Sequence, residues 1–271
     1  MTNRSLCFSF FGIMVLSACG GGGGGGATEI VYVQLLDTTS TATSALVGHD
    51  LESVSATEIS GSLDRASGRA AVDGQSGDVD PSRTNINLDS GGSITLNPGS
   101  TDFVATFVNQ PLSGTPSVGV IGVGTDIDDL PTSGTVMMYS GSNGSAIQII
   151  DGGAVYDLTG STTANVLFGS GEVDLTFSDL GGTRTSGTST PVGVTDVAII
   201  TIDDAQISGA SFSGGTATFS STEIGSTLSS SEVVSSSGGF FGPDADEIGG
   251  VFIIDDQTGG SLLIQGTFLA D

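Results

Sequence analysis

Gly238-Gly239-Phe240-Phe241-Gly242-Pro243-Asp244-Ala245-Asp246-Glu247-Ile248-Gly249-Gly250-Val251-Phe252 holds two apolar runs joined by an acidic turn. It reads as strand, one short helical turn, strand. Gly242 takes the cap position, and Pro243 suits the first helical position because its missing N–H would have no partner there. The acids favour the N-terminal end of the turn dipole. Gly249 and Gly250 stop the turn, and the flanking aromatic residues belong to strands.

Working outward, Ser261 to Leu269 puts Leu262, Ile264, Gly266 and Phe268 on one face of a strand. Glu172 to Phe177 alternates, with Val173, Leu175 and Phe177 on one side and Glu172, Asp174 and Thr176 on the other. Thr135 to Ser140, Ala164 to Phe168, Asp196 to Ile202, the 210–219 segment, Thr227 to Phe241 and Gly249 to Asp255 complete the series. Ser142-Asn143-Gly144 reads as a hairpin turn, since Asn-Gly tolerates the positive φ of tight turns. Eight antiparallel strands can close into a barrel just wide enough for side chains to fill. The expected fold is all-β, with an eight-stranded antiparallel barrel over 131–271 and a smaller β-rich region over 28–130.

In that first region Glu29 to Leu36, Val54 to Ile59, Ser93 to Leu96, Asp102 to Val108 and Val118 to Val123 are strand candidates separated by turn residues. The polar stretch from Ser60 to Asp89 holds Arg65, Arg69 and Arg83 and reads as long loops or an irregular hairpin. No segment of the region is convincingly helical.

Composition limits the function. Thirty acids oppose five positive charges, all of them arginine, and the net charge is -25. Such a surface repels phosphates, so nucleic acid is excluded as a partner. It also suits high salt. The one histidine, His49, beside Asp50 in a polar stretch, reads as a solvated loop residue rather than a metal or haem ligand. With no lysine and no Gly-x-Ser-x-Gly elbow to meet that histidine, nucleophilic catalysis lacks its parts. Asp203 and Asp204, adjacent on a strand, point to opposite faces and cannot flank one bond. The chain is read as no enzyme.

The N-terminus is an address. Leu6 to Leu16 is apolar but too short to span a bilayer, as a signal-peptide core is. Leu16-Ser17-Ala18-Cys19-Gly20 then resembles the lipobox of bacterial lipoproteins. The resemblance implies that residues 1–18 are removed and that Cys19 becomes the acylated, palmitate-bearing N-terminus. The alternative is ordinary secretory cleavage with an incidental cysteine. Gly at position 20, in place of Asp, resembles an outer-membrane sorting signal. Gly20 to Gly26 is a flexible tether reaching on the order of 15 Å, so 19–27 reads as anchor and spacer. It cradles no phosphate, because no strand precedes it and no Gly-Lys-Ser/Thr follows. Cys7 leaves with the signal, and Cys19 is spent on lipid, so no disulfide forms.

Leu130-Pro131-Thr132-Ser133-Gly134-Thr135 and Tyr139-Ser140-Gly141 match a known pattern, as above all do Gly239, Phe240, Phe241, Gly242, Pro243, Ala245, Glu247, Gly249 and Gly250. Together they resemble the β-barrel domain of transferrin-binding-protein-B-like surface lipoproteins over about residues 118 to 271. Large members have two lobes, each with a handle and a barrel. This chain has room for one lobe, with 28–130 as a reduced handle. The resemblance implies a solute-binding lipoprotein of the bacterial outer membrane, facing periplasm or cell surface, in iron or haem acquisition. Its implied partners are the bilayer through Cys19, an outer-membrane receptor, and a secreted or host protein. A second reading is a structural or adhesive envelope lipoprotein with no small ligand, which the Gly/Ser/Thr composition favours.

Acids recur as Asp126, Asp128 and Asp129, as Asp203 and Asp204, as Asp244, Asp246 and Glu247, and as Asp255 and Asp256. None follows a calcium-loop pattern, and they read as turn and strand-end residues, with no metal site assigned. Met137 and Met138 face opposite ways on a strand and cannot converge on haem or a soft metal. No cofactor is assigned, and haem and calcium are the two left open.

Overall fold

The computed structural model describes residues 28–38, 54–64, 69–72, 75–80, 84–100, 104–112, 117–122, 124–132, 134–187, 189–228, 232–256 and 262–271. The signal segment, Cys19, the glycine tether and His49 lie outside them. The described residues are almost wholly β, the one helical element being a 3-10 turn at Ile127–Asp129.

The chain first runs as an antiparallel meander. Its strands are β1 (Thr28–Thr38), β2 (Val54–Asp64), β3 (Arg69–Val72), β4 (Gln75–Val79), β5 (Asn85–Leu88), β6 (Gly92–Pro98), β7 (Val104–Pro111) and β8 (Ser117–Gly122). β8 returns to β1, with Tyr32 opposite Gly122 and Leu36 opposite Val118, and the sheet closes on itself. Ala70, Ile86, Leu88, Ile94 and Phe107 fill the interior.

The loops expected between Ser60 and Asp89 are thus largely strand. β3, β4 and β5 are too short to show a period of two; β5 alternates over four residues only, with Ile86 and Leu88 inward. Polar cross-strand bonds help hold them. Arg69 reaches Asp78 at 2.7 Å and also pairs with Asp89, which accepts from Ser76 at 2.8 Å. The Ser76 hydroxyl and the Arg69 guanidinium hold the Asp89 carboxyl below its usual range.

The second sheet is built from β9 (Val136–Asp151), β10 (Ala154–Leu167), β11 (Glu172–Ser186), β12 (Val192–Val194), β13 (Ala198–Ser208), β14 (Ser211–Ser213), β15 (Thr216–Ser221), β16 (Glu232–Phe241), β17 (Glu247–Asp256) and β18 (Leu262–Ala270). Pairing of β11 with β13 closes the order β11-β10-β9-β18-β17-β16-β14-β13 into the expected eight-stranded ring. β14 and β15 keep one register on β13, Ser213 opposite Gln206 and Thr216 opposite Asp203, so they act as one strand broken at Gly214-Gly215. β12 is a short addition on the edge of β11.

Two turns differ from the sequence reading. Ser142-Asn143-Gly144 is no hairpin. β9 runs through it, and the register against β10 slips between Ser145 opposite Gly160 and Gly141 opposite Thr162, so the extra residues form a bulge. The reversal comes at Gly152-Gly153, with Gly152 at φ 56, where two glycines join β9 to β10. At 242–246 no helical turn forms. Gly242 adopts φ 87 and Ala245 φ 57, both left-handed, and the chain simply reverses between Phe241 and Glu247, which face each other. Gly249 and Gly250 do not stop it; they lie inside β17, opposite Gly239 and Gly238.

The barrel interior is aromatic. Phe177 stacks on Phe252 at 4.6 Å and meets Phe268 edge-on at 5.6 Å, and Phe240 touches both Phe168 and Phe212. The outside of the same wall is buried too, along β16, β17 and β18 and at Ile150 near the end of β9. There Phe241, Val251, Ile253, Leu263 and Leu269 join Val104 and Val120 from the first barrel in a second apolar cluster. That is why Val251-Phe252-Ile253-Ile254 is an unbroken apolar run, whereas β10 alternates cleanly with one face in water.

Candidate functional site

The turn between β16 and β17 is held from two sides. The backbone N–H of Thr125 donates to the Phe240 carbonyl at 2.9 Å, and its hydroxyl donates to the Gly242 carbonyl at 2.7 Å. Gly124 and Phe241 form an isolated bridge, so the segment joining the two barrels adds itself to the end of β16. From within, the buried Tyr139 donates its phenolic proton to the Ala245 carbonyl at 2.8 Å. Burial, with the Asp246 carboxylate as a second cause, pushes the Tyr139 phenol well above its ordinary pKa.

Each residue of the quoted stretch has a place. Phe240 points into the barrel and Phe241 outward to the first barrel. Ala245 is buried in the main core, while Pro243, Asp244 and Asp246 are exposed. Gly238 lies under the Phe212 ring, where a Cβ would come within 1.9 Å of Cζ. On the other face of the wall, a Cβ at Gly249 would meet Val120 of β8 at 3.3 Å. The strand pair is thin here because an aromatic core presses on one side and a neighbouring barrel on the other.

Glu247 opens β17 and is 2 % exposed. It forms one wall of a cavity of about 440 Å³ at the seam between the barrels. The first barrel supplies Asn97, Pro98, Gly99, Ser100 and Thr106; the second supplies the β9 bulge, Thr159 of β10, and Thr267, Leu269, Ala270 and Asp271 at the end of β18. The Ser100 hydroxyl lies 2.7 Å from Asp271 Oδ2 and 3.4 Å from Glu247 Oε1. Two carboxylates and a hydroxyl therefore converge, from three segments distant in sequence.

Of the groups named from sequence, Glu247 lies in this cavity together with Ser140 and Gly141 of the Tyr139-Ser140-Gly141 pattern and Ser142 and Gly144 of the expected turn. Ser100, Thr106 and Asp271 gave no local signal, because a site at a seam is assembled by topology. The bulge at Ser142-Asn143-Gly144 shapes one side. The other acids are dispersed. Asp126 caps the 3-10 turn by accepting from the Asp128 N–H at 3.0 Å, and the Asp204 N–H donates to the Asp174 carboxylate at 3.0 Å. Among the described residues no three His, Cys, Asp or Glu side chains gather around one point. Met137 packs against the core, while Met138 is 74 % exposed on the opposite face.

A family model for the C-lobe and N-lobe beta barrels of Tf-binding protein B matches residues 130–271, just over half of the chain. No curated protein matches. Among solved structures, the vaccine antigen Transferrin Binding Protein B from Haemophilus parasuis Hp5 aligns with a TM-score of 0.55 at 20% identity, over 89% of this chain and 44% of that one. Isotype 1 transferrin binding protein B from serogroup B Neisseria meningitidis gives 0.53 and 17%, over 90% and 43%. Haemoglobin receptor HpuA from Kingella denitrificans gives 0.42 and 15%, over 90% and 87%. The chain spans less than half the length of the two transferrin-binding relatives, and the likeness to them is one of fold.

Proposed function

Because the chain belongs to the family of the C-lobe and N-lobe beta barrels of Tf-binding protein B, we propose that it is a non-enzymatic binding lipoprotein of the bacterial outer membrane, serving iron or haem acquisition. The family match over 130–271 carries this reading. The motif Leu16-Ser17-Ala18-Cys19 supports acylation at Cys19, with residues 19–27 as anchor and tether and the region 28–130 standing where larger relatives have a handle. More than one acyl chain makes such an anchor durable, since each buried CH₂ contributes roughly 0.8 kcal/mol. The ligand is a secreted or host iron- or haem-carrying protein, met by loops at the barrel ends and passed to an outer-membrane receptor.

The test uses the mature full-length chain on beads, challenged with host serum proteins and haemoglobin, together with a spectrophotometric haem titration. Retention of an iron- or haem-carrying protein is the expected result. No retained protein, together with no Soret shift, would overturn the reading. Protease treatment of intact cells tests exposure, and radiolabelled palmitate incorporation lost in Cys19→Ser tests the anchor.

A further inference from the structure

The chain has four methionines, Met1 and Met14 in the signal segment and Met137 and Met138 side by side in β9. Met138 is exposed and turns away from the barrel. Met137 is half-buried against the main core, with its sulfur 3.5 Å from the Tyr139 phenolic oxygen. That phenol has a single proton and gives it to the Ala245 carbonyl at 2.8 Å. A thioether sulfur is a weak acceptor and does not compete. One buried proton thus stands between a strong acceptor and a weak one.

Oxidation changes that balance. Hydrogen peroxide passes one oxygen atom to a methionine sulfur: the S–O bond forms as the O–O bond breaks, the sulfur loses two electrons, and the peroxide leaves as water. The side chain then ends in a polar sulfoxide, whose oxygen is a strong acceptor where the sulfur was a weak one. The carbonyl it competes with belongs to a strained turn. Ala245 holds φ 57, a left-handed conformation unfavourable for a residue with a Cβ, and Tyr139 ties it from inside. Thr125, on the segment joining the two barrels, holds the same turn from outside through Phe240 and Gly242. We propose that Met137 is a redox-sensitive latch: oxidation of its sulfur by a peroxide draws the Tyr139 proton from the Ala245 carbonyl and frees the 242–246 turn, whereas oxidation of Met138 is silent. This holds whatever the chain binds.

Hydrogen peroxide treatment of the mature full-length chain, carrying Cys19→Ser to remove the other sulfur, tests it, with each sulfoxide located by peptide mass spectrometry. In Met138→Leu only Met137 reacts. Its full oxidation is expected to lower the melting temperature by about 3 °C or more, to speed amide exchange at 242–247 by about tenfold, and to be reversed by methionine sulfoxide reductase. Met137→Leu, in which only Met138 reacts, is expected to keep its melting temperature and its exchange through the same treatment. Tyr139→Phe added to Met138→Leu separates the latch from lost packing, because with no proton to draw, oxidation is expected to leave exchange at 242–247 unchanged. If that double variant does not fold, exchange at Val166, opposite Met137 on β10, decides in its place: the latch leaves it slow, and general damage to the core speeds it as much as the turn. A folded chain whose Met137 resists peroxide, a turn whose exchange oxidation does not move, equal speeding in the Tyr139→Phe chain, or equal speeding at Val166 would each overturn the proposal.

Discussion

Gly238 leaves no room for a methyl group. A Cβ there would lie 1.9 Å from Phe212 Cζ and 2.5 Å from two further ring carbons, and the ring is itself wedged between Phe240 and Phe268. Gly238→Ala must push the ring off its rotamer or the strand off its partner. The expected cost is about 3 kcal/mol, the upper end for overpacking, read as a lowered urea midpoint. A midpoint within error of wild type would mean that the core yields more freely than its contacts suggest. Tyr139 makes a different argument. Tyr139→Phe keeps the packing but strands the Ala245 carbonyl, at about 1–2 kcal/mol. The same phenol titrates. Its pKa is raised on folding above the ordinary 10.0, so its contribution is fully present below that value and is lost as pH rises towards the folded value. Wild-type stability is therefore expected to fall above pH 10, and a pH series of urea melts should show a shallower fall in Tyr139→Phe.

Strands that share a sheet here differ in how many faces they bury, and that sets what a substitution does. Ile253, on the outer face of β17, is as buried as Ile254 on the inner face, because the first barrel covers it. Ile253→Ala and Ile254→Ala are both expected to cost about 2–5 kcal/mol. Ile199, on β13, is 52 % exposed, and Ile199→Ala is expected to stay within about 0.5 kcal/mol of wild type. Denaturant melts of the three decide the point; a mild Ile253→Ala would show that the outer cluster is not close-packed. The sequence carried part of this. Alternation in Glu172 to Phe177 revealed a strand with two unlike faces, and Gly249 to Asp255 was legible as a strand without any sign of how deeply it sits. That its outer face is covered by another barrel is a property of the assembled sheets. Short polar strands such as Gln75–Val79, with one inward-facing position, are specified by their neighbours more than by their own residues. The cavity was illegible for a related reason, since Ser100, Glu247 and Asp271 meet only once both sheets have closed.

At the scale of the molecule, two barrels meet through an apolar seam, and the joining segment is itself bonded to the β16 end. The two are expected to unfold together, with a single transition seen alike by far-ultraviolet circular dichroism and by calorimetry. Two resolved transitions would show that the seam couples them weakly. Charge acts on the whole as well. A net charge of -25 repels itself, and salt screens that repulsion over about 10 Å at 0.1 M. The melting temperature is expected to rise between low salt and roughly 1 M sodium chloride; equal values would count against an acidic surface adapted to high salt. The facing glycines of β16 and β17 carry a consequence of another kind. Side chains normally act as padding between a sheet's two sides, and here the padding is gone: Phe268 presses towards Gly250 from inside while Val120 presses towards Gly249 from outside. Two interiors that share a bare backbone partition feel each other's volume. Relieving pressure on one side with Val120→Ala should change what Phe268→Leu costs on the other, so the two barrels, separate in topology, behave mechanically as neighbours through a drumskin.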